Sequence, residues 1–89
     1  MSDYRVIVDI RRDTTEDGYC WRQLEQVVML DKSSHRAAAN SMRRLLQIAS
    51  KSQSHKDREL WKIDVVDDAL GEVQSFECWS DEITLEGGK

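Results

Sequence analysis

Apolar and polar residues alternate near the start of the chain. The apolar positions are Tyr4, Val6, Val8 and Ile10, and only Ile7 interrupts the polar positions between them. A period of two is typical of a strand with one buried face, so we predict a first strand here. Residues 12–18 are rich in turn formers and end in Asp17-Gly18, which indicates a turn.

The segment 19–30 fits two patterns. Cys20, Leu24, Val28 and Leu30 can share one face of a strand, whereas Trp21, Leu24 and Val28 also fit a helical stripe. The preceding turn and the ending Val-Val-Met-Leu favour a second strand, and a helix is the alternative.

Residues 35–52 carry a helical pattern. Ser33 or Ser34 can cap the first turn, and the body contains three consecutive alanines and no glycine. At helical spacing lie Ala38, Met42, Leu45 and Ala49, with Leu46 and Ile48 beside them. We predict that this stripe packs against a sheet.

Two more strands are indicated after the helix. Residues 50–59 are polar and predict a solvated connection, after which Trp61, Ile63 and Val65 alternate with charged residues. Residues 67–71 predict a loop, and Glu72 to Trp79 resume a strand. Val73 and Trp79 are out of phase with Phe76 and Cys78, so we expect a bulge that shifts the register.

These elements predict one small α+β domain over residues 1–89 with the order β-β-α-β-β. The expected architecture is a two-layer domain, an antiparallel sheet with one helix on one face. We expect an ordered core over about residues 3–80 and a flexible tail over 81–89. One helix covers only one face of such a sheet, so apolar residues on the other face are expected to meet a partner or a second copy.

Cellular location is suggested by the start of the chain and by its short apolar runs. Ser2 to Arg5 include no apolar stretch of the kind found in signal peptides. The longest apolar run is Val27 to Leu30, far short of the about 20 residues that span a bilayer. We therefore expect a cytoplasmic protein without membrane contact, with Cys20 and Cys78 as buried thiols.

Charge is distributed unevenly along the chain. Between Lys32 and Arg58 there are seven basic residues and one acidic residue, whereas from Leu60 onwards two are basic and eight acidic. Rows of cations on a helix are suited to phosphates, which makes a nucleic-acid-binding domain one hypothesis. Its candidate residues are Arg36, Arg43, Arg44 and Lys51. The alternative is an ordinary solvated helix face.

Residues 31–46, which follow a predicted strand, resemble the last strand and helix of a double-stranded-RNA-binding domain. The family's first helix has no counterpart here, and two further strands are predicted where that family usually ends. We carry no function over from this resemblance.

Catalytic and metal-binding patterns are weak. Asp64, Asp67 and Asp68 do not have the spacing of a calcium-binding EF-hand loop, so we expect an acidic, solubilising hairpin. The chain lacks a phosphate-binding Gly-x-x-x-x-Gly-Lys loop, a Cys-x-x-Cys pair and a Gly-x-Ser-x-Gly elbow. We expect no enzyme activity, no cofactor and no metal.

The leading hypothesis is a non-enzymatic protein-binding module that acts as a regulator, adaptor or inhibitor by occupying a surface. The expected contacts are Trp21, Trp61, Trp79, Asp67, Asp68 and Glu72. The alternative for the tryptophans is that Trp61 and Trp79 lie in the core and Trp21 pairs across the strands. Small acidic proteins of this style occur among phage and mobile-element accessory proteins, some of which block a host nucleic-acid enzyme or a defence system. A structural subunit that assembles with itself is a further alternative.

Overall fold

A computed structural model describes residues 2–14, 18–51, 59–82 and 84–88, with side chains at residues 2–11, 26–49, 59–82 and 84–88. The elements are β1 (Ser2–Thr14), β2 (Gly18–Lys32), α1 (His35–Lys51), β3 (Glu59–Asp67), β4 (Glu72–Trp79) and β5 (Glu86–Gly87). The predicted turn residues 15–17 and the polar connection at 52–58 lie outside the described residues.

The strands form one five-stranded antiparallel sheet in the order β2-β1-β3-β4-β5. The helix packs on one face of it, so the predicted α+β class is confirmed. Segment 19–30 is a strand, as favoured, and lies at one edge of the sheet. The first hairpin is joined to the second through the central pairing of β1 with β3.

The core lies between α1 and the sheet. β1 contributes Tyr4, Val6 and Val8, and the neighbouring strand β3 contributes Trp61, Ile63 and Val65, as the alternation predicts. Phe76 and Cys78 of β4 face the same way. Burial of these side chains drives the packing of helix on sheet, at roughly 1.5–3 kcal/mol for each large aliphatic or aromatic residue.

The helix begins and ends close to the predicted residues. Ser34 is the cap, because its Oγ accepts a hydrogen bond from the backbone N–H of Ala37 at 3.1 Å. The buried stripe, however, is rotated from the predicted one and consists of His35, Ala38, Ala39, Met42 and Leu46. The prediction that Leu45, Ile48 and Ala49 pack inward was wrong, because the sheet contacts the helix on the Ala39 and Leu46 side of the stripe.

The expected bulge in β4 is also absent. Pairing of β3 with β4 is regular from Leu60 opposite Trp79 to Asp67 opposite Glu72. Val73 and Trp79 therefore lie on one face and Phe76 and Cys78 on the other, without a register change. The irregularities occur instead between β1 and β2, one near Ser2 and Tyr4 and one between Val8 and Asp9.

Part of the segment 81–89, expected as a flexible tail, is packed against the domain. Leu85 is buried in the core, and β5 pairs with Phe76 and Glu77 of β4. Gly87 and Gly88 have positive φ values of 104° and 77°, a conformation that favours glycine. An added Cβ at Gly87 would lie 2.5 Å from the carbonyl oxygen of Ser75, so this close approach requires glycine.

No helix among the described residues is long and apolar enough to cross a membrane.

Candidate functional site

The sheet face opposite α1, here called the open face, carries a cluster of apolar side chains. Alternation along the strands places there Ile7 of β1, Val28 of β2, Val66 of β3 and Val73 of β4. These four residues are called the apolar band. Val28 and Val73 are 61% and 58% exposed, and Ile7 and Val66 are half-buried. Neighbouring apolar groups of this kind, rather than single ones, mark interaction surfaces.

Arg5 lies within the apolar band, directly between Val28 and Val66 in the register. Its guanidinium turns toward the β3–β4 turn, where Nε and Nη2 donate to the two carboxylate oxygens of Asp68 at 3.2 and 3.1 Å. These hydrogen bonds and the charge of Arg5 lower the pKa of Asp68. Because the cation is paired at the end of the sheet, its aliphatic stem is the part that adds to the band.

A cleft of about 460 Å³ lies at the same end of the sheet. Residues at the start of β1 form one side, the β3–β4 turn forms the other, and the exposed side chains of Val28 and Leu70 contribute apolar surface. The apolar band thus borders an open cleft that is lined by both polar and apolar groups.

The opposite end of the open face is covered by the protein's own side chains. Arg11, Leu60 and Trp79 are cross-strand neighbours on β1, β3 and β4. The guanidinium carbon of Arg11 lies 5.5 Å from the centroid of the Trp79 ring, a cation–π distance, and Leu60 between them is buried. Trp79 is half-buried, so part of its surface is accessible, and its contact with a partner stays a prediction.

The other two predicted tryptophan contacts have different outcomes. Trp61 is 1% exposed and lies in the core beneath α1, so it offers no surface to a partner. The backbone of Trp21 pairs with that of Arg11, but the side chain of Trp21 is not among the side chains that the structure describes. Trp61 alternates with Ile63 and Val65, and all three lie on the core face of β3.

Two of the three acidic residues predicted to contact a partner, Asp67 and Asp68, already bind groups of the protein itself. Asp67 is buried, and its Oδ1 accepts hydrogen bonds from the backbone N–H groups of Ala69 and Leu70 at 3.1 and 3.2 Å. Asp68 is paired with Arg5. Glu72 has an exposed side chain. Asp67 therefore shapes the turn, whereas Asp68 and Glu72 both have exposed side chains.

The basic residues predicted for nucleic acid do not form one uniform row. Arg36 donates to the backbone carbonyls of Leu85 and Gly87, and Arg43 donates to Asn40 and Gln47 on its own helix. Arg44 is exposed. Lys51 is the last helical residue, and its side chain is outside the described ones. Two of the four candidates, Arg36 and Arg43, thus donate hydrogen bonds to other groups of the protein.

The buried thiol shows no sign of an activated nucleophile. The Sγ of Cys78 donates to the carbonyls of Trp79 and Glu82 at 3.3 and 3.4 Å. Burial raises the pKa of this thiol, the charge of Arg43 opposes that effect, and acidic residues of the C-terminal segment act in the same direction as burial. Among the described residues, no group of three or more His, Cys, Asp or Glu side chains is arranged to hold a metal ion.

The sequence contained a signal for the apolar band. Val65 and Val66 are adjacent, so one must leave the core face of an alternating strand, and Val73 is out of phase with Phe76. Apolar residues were expected on this face, but the bulge expected in β4 would have returned Val73 to the core, so Val73 was not among the predicted contacts.

No protein-family model, curated protein or solved structure matches the chain. Function is therefore inferred from the chemistry and shape of the surface alone.

Proposed function

We propose that the chain is a protein-binding domain that recognises its partner through the open face. The single observation that carries the proposal is the apolar band of Ile7, Val28, Val66 and Val73, which α1 leaves uncovered. Antiparallel sheets that face water usually carry polar residues on that side. Apolar residues on four adjacent strands are instead suited to burial against another protein.

The surroundings of the apolar band add specificity. The cleft beside the β3–β4 turn, the paired charges of Arg5 and Asp68 and the half-buried ring of Trp79 frame an apolar centre with polar groups. An apolar centre with a polar rim is the common arrangement in protein–protein interfaces. Glu72, the first residue of β4, alternates with Val73 and lies on the helix side of the sheet, outside this rim.

The domain acts by occupying a surface of its partner and not by catalysis. A regulator, adaptor or inhibitor in the cytoplasm fits this mode, and a phage or mobile-element protein that blocks a host nucleic-acid enzyme or defence system is the form we favour. The raised pKa of Cys78 agrees with this proposal, because a buried neutral thiol is a poor nucleophile.

Direct nucleic-acid binding through α1 has less support. The guanidinium groups of Arg36 and Arg43 donate to acceptors within the protein, and Arg44 is exposed. Arg36 and Arg43 keep their positive charge, but fewer of their N–H groups are available to phosphates.

Affinity capture from the native lysate, with and without nuclease, tests the proposal. The capture is carried out with the unchanged domain, with one test variant and with one control variant. Val73→Lys places a charge in the apolar band, and Ile48→Lys places one on an apolar site of α1 that is at least as exposed. We expect a protein partner that survives nuclease, binds Ile48→Lys normally and loses about tenfold or more in affinity for Val73→Lys. Equal retention by both variants, or loss of all bound material after nuclease, would refute the proposal.

A further inference from the structure

Carboxylates of the open face border the apolar band toward the middle of the sheet. Asp64 of β3 is the cross-strand neighbour of Ile7 and lies beside it on the open face. In the next row of the register, Asp9 and Glu77 lie on either side of Lys62 on the same face. In the described part of the chain, this side of the band therefore has three carboxylates and one ammonium group.

The cleft at the other side of the apolar band is also acidic. Its lining includes three aspartates, Asp3, Asp67 and Asp68, and one arginine, Arg5, which is paired with Asp68. Asp67 is buried and bonded to the turn, whereas Asp3 and Asp68 have exposed side chains. The charge of Arg5 is thus balanced by Asp68, and Asp3 adds a further negative charge.

Negative charge therefore exceeds positive charge around the apolar band. Among the described side chains that are at least half exposed to solvent or only half-buried there, the acids are Asp3, Asp9, Asp64, Asp68 and Glu77, and the bases are Arg5 and Lys62. Another cation of this face, Arg11, lies over the Trp79 ring at the far end of the sheet. The excess has the same sign as the net charge of −4 of the whole chain.

This acidic border restricts what can bind to the apolar band. Nucleic acids and anionic membrane surfaces are repelled, because both present rows of phosphates. Two open faces of the same chain would bring like charges together, which costs free energy in an interface. A protein surface with apolar residues at its centre and basic residues around them has the complementary charge.

The cleft offers a place for one apolar side chain of such a partner. The exposed side chains of Val28 and Leu70 line it, close to the carboxylates of Asp3 and Asp68. Protein interfaces commonly contain a few apolar anchors that fill pockets of the other protein, with polar and charged groups at the rim. A leucine, methionine or aromatic side chain with a lysine or arginine beside it fits this combination.

We infer that the open face binds a protein segment in which apolar residues are flanked by lysine or arginine, with one apolar side chain in the cleft and the basic groups near Asp64, Asp68 and Glu77. This inference rests on the proposed function and adds the chemistry of the partner to it.

Selection of random peptides displayed on filamentous phage tests the inference. The purified full chain is the target, and peptides that still bind Val73→Lys are removed, so the remaining peptides require the apolar band. We expect enrichment of lysine and arginine next to large apolar residues, and depletion of aspartate and glutamate. The affinity of a selected peptide should fall as the salt concentration rises from about 0.05 to about 0.5 M, because salt screens exposed charges.

Two substitutions on β4 separate charge on the open face from charge elsewhere. Glu77→Lys and Glu72→Lys change the net charge equally at exposed positions, but Glu77 lies on the open face and Glu72 on the helix side. Glu77→Lys should weaken binding of a selected peptide about fivefold or more, and Glu72→Lys should change it by less than about twofold. Asp64→Asn, which keeps an acceptor for the Ser75 hydroxyl, should weaken binding about twofold or more.

Circular dichroism verifies that each variant is folded. Selected peptides that need Val73 but are acidic, or that have no charge preference, would overturn the inference and leave the proposed function in place. Equal effects of Glu77→Lys and Glu72→Lys would also overturn it, because the net charge of the chain would then account for the binding. If no selected peptide needs Val73, the inference fails, and the capture experiment with Val73→Lys tests the proposed function separately.

Discussion

The guanidinium of Arg36 donates a hydrogen bond from Nη2 to the carbonyl oxygen of Leu85 at 2.9 Å. A second bond from Nη1 reaches the carbonyl of Gly87 at 3.3 Å, and the guanidinium carbon lies 5.9 Å from the centroid of the Phe76 ring. Arg36 thus joins the first turn of α1 to β5 and fixes the C-terminal segment against the sheet.

Arg36→Ala should lower the free energy of unfolding by about 1 kcal/mol, because it removes hydrogen bonds to two carbonyls and a cation–π contact. Arg44→Ala is the control on the same helix, with an expected change within about 0.5 kcal/mol. Chemical denaturation measures both. An equal effect of the two substitutions would show that the Leu85 contact contributes nothing specific.

The Asp67 carboxylate is predicted to matter more for stability than its neighbour Asp68. Asp67→Ala leaves the N–H groups of Ala69 and Leu70 without their acceptor, at a cost of about 1–3 kcal/mol. Asp67→Asn keeps an acceptor oxygen and should recover part of the loss. Thermal or chemical unfolding of these variants beside Asp68→Ala measures the difference, and a larger loss for Asp68→Ala would contradict the assigned roles.

The Arg5–Asp68 pair predicts a specific titration. Asp68 has a folded-state pKa below its usual value of 3.8, so the pair adds stability above that pH and loses it as the pH falls through the folded-state pKa. The carboxyl carbon signal of Asp68 in an NMR titration should have a lower midpoint in the native protein than in Arg5→Gln. Identical midpoints would mean that the pair does not persist in solution.

The Cys78 thiol is predicted to resist alkylation in the folded protein. Burial both raises its pKa and blocks access, whereas unfolding removes both effects. Iodoacetamide at mildly alkaline pH, followed by peptide mass spectrometry to separate Cys78 from Cys20, measures the reaction with and without denaturant. Rapid modification of Cys78 in native protein would show that this part of the core opens readily.

Local patterns were sufficient to predict the main elements of the fold. The alternation from Tyr4 to Ile10 gave the core face of β1, and the serine cap with the alanine-rich body gave a helix over 35–52 that is observed as His35–Lys51. These features depend on residues that are close in the sequence, where period and capping chemistry are informative.

Features that depend on distant residues were not predicted. The flank of α1 that faces the sheet depends on packing against the core residues of the strands, and the role of Arg36 depends on the carbonyl of Leu85 in the C-terminal segment. Neither hydrophobic period nor charge counting contains that information. For the same reason, Asp67 was predicted as a surface acid although the turn buries it.

The open face is tested most directly by NMR of the methyl-labelled domain before and after addition of the protein partner retained in the capture experiment. We predict that the methyl signals of Val66 and Val73 shift or broaden on binding, while that of Ile48 on α1 is unchanged. Changes at Ile48 with none at Val66 and Val73 would contradict partner binding through the open face.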